Sequence, residues 1–240
     1  MERTKTKDPG PGPELPSLTA VTVRRGLVAG RLYLAMGTAI VLILSLVLVH
    51  ARSGVFAVTF PLEVPLFATL GSMGGLMLFA SDRAKGVLEY SIAYGVRPGW
   101  LFGNILVASI VLASVVLAAA LAVGMGAFLA AGGRITTDLE NTLLLYTVPM
   151  TYAAVVFSTV TGMIWSSLST PRMGLNSPAG IAPLLAVAPT ILVLVVAEAS
   201  PKSDYYYITG GAAAAFVVAA LAMILLSTRW MDPERYLSPM

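Results

Sequence analysis

Residues 81–103 read SDRAKGVLEYSIAYGVRPGWLFG, and the reading of this stretch decides how the rest of the chain is understood. It lies between two long apolar runs and carries more charge than any other internal segment: Asp82, Arg83, Lys85, Glu89 and Arg97. Val87, Leu88, Ser91 and Ile92 recur at helical spacing on one side, with Tyr90 and Tyr94 four apart beside them. Gly95 and then Pro98 supply stop signals, so the pattern predicts a helix of about two or three turns. Such a helix is marginal in water, because nucleation costs more than a few hydrogen bonds return, and it needs a surface to rest on. On composition alone the segment equally fits a turn at a membrane surface between two spans.

The flanking runs set the class. Of 240 residues, 57% are hydrophobic and 11% charged, against about 25% charged in an ordinary soluble domain. Several runs approach 20 uncharged residues, about the length that crosses a hydrocarbon core of roughly 30 Å. They are continuous rather than alternating, which excludes an outer-membrane β-barrel. The expected fold is therefore all-α, a polytopic integral membrane protein with spans at 32–49, 58–80, 101–131, 143–168, 179–197 and 208–228. The third is too long to cross perpendicularly and must tilt or extend beyond the bilayer. Residues 1–17, rich in Pro and Gly, cannot bury a core and are expected to be a disordered tail. The tail is not a signal peptide, since the apolar run starts too late and lacks a cleavage pattern. Residues 18–33, with Arg24, Arg25 and Arg31 among apolar neighbours, suit a helix lying along the inner surface. Residues 18–228 then form the transmembrane domain and 229–240 a second cytoplasmic tail.

Lys and Arg orient this layout. Arg3, Lys5, Lys7, Arg24, Arg25, Arg31, Arg83, Lys85, Arg97, Arg172, Arg229 and Arg235 fall on one side, and only Arg52, Arg134 and Lys202 on the other. The bias places both termini and the 81–103 loop in the cytoplasm of a cell-membrane protein.

Catalytic patterns are scarce. The chain has no cysteine, which removes disulfides and thiol chemistry. No Gly-Lys pair is present to build a Walker A phosphate loop, nor is there a zinc-protease or nucleophile-elbow motif. His50, the single histidine, reads as an interfacial residue at the outer edge of the first span. The chain reads as non-catalytic, without a metal or a cofactor of its own. Glu63, between Pro61 and Pro65, and Glu198, at the end of the fifth span, are carboxylates near the outer ends of spans. They line an outer vestibule if they face the bundle, and sit at headgroup level if they do not. The midplane portions of all six spans lack ionisable residues, unlike the usual site of an ion-coupled carrier. Pro183 and Pro189 free carbonyls in the fifth span and allow it to kink. The hydroxyl and small residues Thr159, Thr161, Gly162, Ser166, Ser167 and Ser169, and the Gly71/Gly75 pair, read as close helix packing. Tyr205 to Tyr207 read as an interfacial aromatic belt.

The 81–103 stretch also resembles the membrane subunits of the ABC type-2 permease family. Between their second and third spans these carry Glu-Arg, two residues, Gly-Thr-Leu-Glu, then a Leu-Leu pair, Pro-Val and Gly-Lys at fixed offsets. Asp82-Arg83, Gly86-Val87-Leu88-Glu89, Ser91-Ile92, Gly95-Val96 and Gly103-Asn104 fall on those offsets without a gap. Arg83, Gly86, Leu88, Glu89, Val96 and Gly103 are identities; Asp82 and Val87 are mild changes; Ser91, Gly95 and Asn104 depart from the pattern. The resemblance implies a short cytoplasmic coupling helix between spans two and three. In that family two six-span halves pair, the second being an identical chain in a homodimer or else a relative, and two separate ATPase chains bind ATP below them. Asp82, Arg83, Gly86, Leu88 and Glu89 would couple to the ATPase, with Arg83 and Glu89 as polar contacts and Leu88 as an apolar anchor in a helix-in-groove dock. No nucleic-acid partner is implied, and the lipid bilayer is the remaining neighbour. The other reading of the same residues is a six-span protein without an ATPase, either an ion-coupled carrier or a non-transporting scaffold subunit. The cargo is not legible: an apolar interior with scattered hydroxyls suits lipids, drugs, hydrophobic peptides or a haem-like molecule.

Overall fold

A computed structural model describes residues 18–50, 53–168 and 177–228 of the chain. Within them the regular elements are helices: α1 (Leu18–His50), α2 (Ser53–Ala84), α3 (Val87–Ala93), α4 (Pro98–Ala130), α5 (Thr137–Asn141), α6 (Val148–Leu168), α7 (Pro178–Ala199) and α8 (Lys202–Thr228). A π-helical segment, Thr142–Thr147, joins α5 to α6. Among the described residues, five helices are long and apolar enough to cross a membrane: Thr59–Ala84, Pro98–Ala130, Thr137–Leu168, Pro178–Ala199 and Ser203–Leu226. The span expected at 32–49 falls on the second half of α1, where most side chains lie outside the described residues. Also outside are the two tails, 1–17 and 229–240, and the turn holding Arg172.

The surface helix expected over 18–33 is not a separate element. It is the first half of α1, a single helix of 33 residues, or roughly 50 Å at 1.5 Å per residue. The reason is glycine. Gly26, Gly30 and Gly37 lie along the face of α1 that meets α2, and α1 runs antiparallel to it, Gly30 against Gly74 and Gly37 against Leu70. A Cβ on Gly30 would overlap the Gly74 backbone, so the two helices touch through main chain. The adjacent face of α2 repeats the device on α4. A Cβ on Gly71 would stand 2.9 Å from Ala113 Cα, and one on Gly75 would collide with Ser109. The Gly71/Gly75 pair thus serves a contact within one chain, and small residues are what let backbones approach so closely.

These contacts make α2 the hub. Of its most apolar 18-residue stretch, 83% is buried, against 11% for α8 at the periphery. One core cluster joins Phe56, Phe60, Val64 and Ala68 of α2 to Ala113, Leu117 and Phe128 of α4 and to Leu139, Leu143 and Val155. Phe56 stacks on Phe60 and Phe128 with ring centroids 4.8 and 4.5 Å apart. A second cluster sits at the other end of α2 and includes Met73, Leu76, Phe79, Phe102 and Met163. Several buried hydroxyls bond to their own helices: Thr151 Oγ1 donates to the Thr147 carbonyl at 2.7 Å and Thr190 Oγ1 to that of Ala186 at 2.7 Å. Thr159, Gly162 and Ser166 are buried, and a Cβ on Gly162 would stand 2.9 Å from Leu76 and 3.2 Å from Ala182. Ser169 lies outside the described residues.

The π segment has a local cause. Pro149 has no N–H to return to the preceding turn, and the winding widens ahead of it. The Val148 N–H reaches back five residues to the Leu143 carbonyl, and Thr147 Oγ1 donates to that of Thr142 at 3.0 Å. Prolines 183 and 189 remain inside α7, which runs unbroken. Only Ser200 and Pro201 separate α7 from α8, so no re-entrant helix lies between them.

Gly30→Ala should force α1 off α2 and lower stability by about 1–3 kcal/mol, the usual cost of overpacking. Gly126→Ala, in open space on α4, should instead be neutral or gain up to about 1 kcal/mol. Thermal unfolding of the two variants in detergent measures the difference.

Candidate functional site

The 81–103 stretch folds as a tight knuckle between α2 and α4, built by two glycines. Gly86 has φ 69° and serves α2 and α3 at once: its N–H closes α2 on the Arg83 carbonyl at 3.1 Å, and its carbonyl accepts the Tyr90 N–H at 3.0 Å to open α3. Gly95, at φ 85°, closes α3. Its N–H donates to the Ile92 carbonyl at 2.9 Å and that of Val96 to the Ser91 carbonyl at 3.1 Å, the paired bonds of a Schellman cap. Arg97 is extended, and Pro98 opens α4 where its missing N–H has no helical partner to lose.

α3 has seven residues and is held by its inner face. Leu88 and Ile92, four apart, are buried, and Leu88 enters the cluster with Phe79 and Phe102, whose rings lie 5.2 Å apart. Burying a leucine stabilises by about 2 kcal/mol, enough to fix a helix that would otherwise fray. Leu88 anchors α3 to the protein's own body.

Asp82 and Arg83, the other leading residues of the motif, are also turned inward. Arg25 Nη2 of α1 donates to Asp82 Oδ1, the arginine side chain 48% exposed and the aspartate side chain 10%. Arg83 is buried at the end of α2. Glu89 is half-buried, its Oε2 enclosed without a hydrogen-bond partner among the described residues. The exposed face of the knuckle consists of other residues. Tyr90 is 63% and Tyr94 72% exposed, with ring centroids 4.4 Å apart. Trp100 and Arg97, at the start of α4, are exposed as well, while Lys85 is exposed on the α1 side of the knuckle, beside Arg24 and Arg25. A hydrogen bond with Tyr94 pushes the Tyr90 phenol above its ordinary range. The face is thus aromatic and basic. The four-residue spacing of the tyrosines was visible in the sequence; the inward turn of Asp82, set by an arginine 57 positions away, was not.

The outer carboxylates are not brought together. Glu63 is half-buried in α2 with Oε2 enclosed and unpartnered among the described residues. Glu198 is exposed on the last turn of α7. No ion pair or hydrogen bond joins them among the described residues. Nearby, Tyr146 of the π segment packs on Tyr205 at 5.0 Å and Tyr206 at 6.0 Å, while Tyr206 and Tyr207 stay exposed.

Five helices able to cross a bilayer, in a chain whose described elements are all helical, define a multi-pass α-helical membrane protein. Comparison with known protein families, with characterised proteins and with solved structures finds no match to this chain.

Leu88→Ala should cost about 2–4 kcal/mol and raise hydrogen exchange across Val87–Ala93, since α3 loses its hold. Gly86→Ala meets no atom yet should cost about 1–2 kcal/mol, because a Cβ is strained at that φ. Tyr94→Ala, exposed, should leave both exchange and melting unchanged.

Proposed function

We propose that this chain is the membrane-spanning subunit of an ATP-driven ABC exporter. Six spans, the first being 32–49 on α1, lie in the cell membrane with both termini cytoplasmic. A second, identical copy completes the translocation path, and two separate ATPase subunits bind and hydrolyse ATP beneath it. α3 is the part the ATPase pushes.

The observation that carries this reading is the construction of the knuckle. Leu88 clamps a seven-residue helix onto the hub helix, while Tyr90, Tyr94, Trp100 and Arg97 are left exposed. A load applied there passes into α2 and, through the glycine contacts, into α1 and α4. Nucleotide-driven closure can then shift the spans, provided that the ATPase contacts differ between its two states. The resemblance to the type-2 permease pattern over Asp82–Glu89 supports the same reading from the sequence. The coupling roles divide accordingly: Asp82, Arg83, Gly86 and Leu88 set the position of α3, and Tyr90, Tyr94 and Trp100 meet the partner.

Co-purification tests this directly. The chain should bring down a soluble P-loop ATPase in equal amount, and Tyr90→Ala with Tyr94→Ala should weaken that complex on the order of thirty-fold per tyrosine, with the fold intact. A labelling experiment that finds a cysteine at position 94 reactive only from outside the cell would end this reading.

One observation favours an ion-coupled carrier instead, namely the enclosed and unpartnered Glu63 oxygen within a spanning helix. On that reading Glu63→Gln abolishes transport driven by an ion gradient. On the exporter reading it leaves ATP-driven transport in proteoliposomes within about two-fold, the small change of a substitution away from the coupling parts.

A further inference from the structure

A cavity of about 340 Å³ opens where the first half of α1 crosses the end of α2, on the side of the Arg25–Asp82 pair. Its rim is basic: Arg24, Arg25 and Lys85. Arg24 and Lys85 form no ion pair among the described residues, so three cations face a single carboxylate, Asp82. Ser81 adds a hydroxyl, and the floor is apolar, made by Val28, Ala29 and Leu78. Above the floor, Val28, Leu32 and Met36 are exposed at four-residue spacing on α1, which is one continuous stripe along the helix. Cations at the mouth, an apolar floor and an apolar track leading away form a site with two chemistries at a fixed offset.

We propose that this cavity binds the phosphate headgroup of an anionic phospholipid, with an acyl chain laid along Val28, Leu32 and Met36. Guanidinium groups match phosphate oxygens bidentately, and Lys85 adds a point charge. Basic pockets between spanning helices at the cytoplasmic face have the charge and depth for such headgroups. The Arg25–Asp82 pair has a positioning part here: it fixes Arg25 at the cavity edge and leaves Arg24 and Lys85 to the ligand. The site is independent of whether an ATPase docks on α3, because it lies between α1 and α2 and uses neither tyrosine.

The test uses the full chain in neutral detergent, titrated with phosphatidylglycerol, phosphatidylcholine and soluble glycerol phosphate, and read by native mass spectrometry. Phosphatidylglycerol should be retained at least about ten-fold better than phosphatidylcholine, in line with the per-cation gain at a membrane surface. Arg24→Gln and Lys85→Gln should each reduce retention about five-fold, and Arg97→Gln, a cation outside the cavity, should not. All of these side chains are exposed, so melting temperatures should be unchanged. Equal retention of the two lipids by the unaltered chain would overturn the proposal without any variant. An equal loss in all three variants would reduce the effect to diffuse charge and overturn the site. Displacement of phosphatidylglycerol by glycerol phosphate at matched concentration would assign the cavity to a soluble phosphate and overturn the lipid.

Discussion

The main-chain contact of α2 with its two neighbours is the constraint on which the rest depends. Apolar side chains drive burial poorly between helices in hydrocarbon, because lipid is as apolar as leucine. What remains is close fit, and here it is obtained by removing side chains. Gly74 receives Gly26 and Gly30 on one face of α2, and on the adjoining face Gly71 and Gly75 receive Ala113 and Ser109. Three helices are thereby locked side by side. Leu88 and Phe102 can then meet Phe79 at the end of α2, and the knuckle inherits a rigid seat. The Arg25–Asp82 pair closes the α1 side of the same assembly.

Polarity follows the same economy. Thr69 of α2, Thr151 of α6 and Thr190 of α7, all buried, bond to carbonyls one turn back on their own helices, a habit that leaves them neutral toward neighbours. The interior is therefore held by shape more than by interhelical hydrogen bonds. Ser114 Oγ and Tyr152 Oη, 2.8 Å apart between α4 and α6, are an exception. Peripheral α8 has few such ties, and its exposed Val217, Val218, Leu221 and Leu225 form a face with lipid character.

The helical class and the place of the loop could be read from residue order, because both depend on local periodicity: long uncharged runs, then Gly95 and Pro98 as stops. The extents of the elements were less legible. Arg24, Arg25 and Arg31 suggested a surface helix, yet the glycines among them favour packing on α2, and α1 continues through. Inside the loop, identity with a motif pointed to Leu88, Asp82 and Arg83 as outward contacts. Their direction is decided by non-local partners, Phe79 and Phe102 for Leu88 and Arg25 for Asp82, and no window on residues 81–103 contains those. Tyr90 and Tyr94 were visible as a pair, and only the burial of Leu88 and Ile92 shows that the tyrosines are the face left over.

The wide turn Thr142–Thr147 has a geometric consequence. Reaching back five residues rather than four takes up one residue more than regular winding, and each residue of an α-helix advances the azimuth by about 100°. Everything outward of the turn, from Thr136 through Asn141, is thus clocked differently around the axis from Val148 onward. That offset presents Tyr146 to Tyr205 and Tyr206 while Leu139 and Leu143 still reach the phenylalanine cluster. A single proline, by loosening one turn, lets one helix serve two neighbours whose directions a uniform spiral could not match.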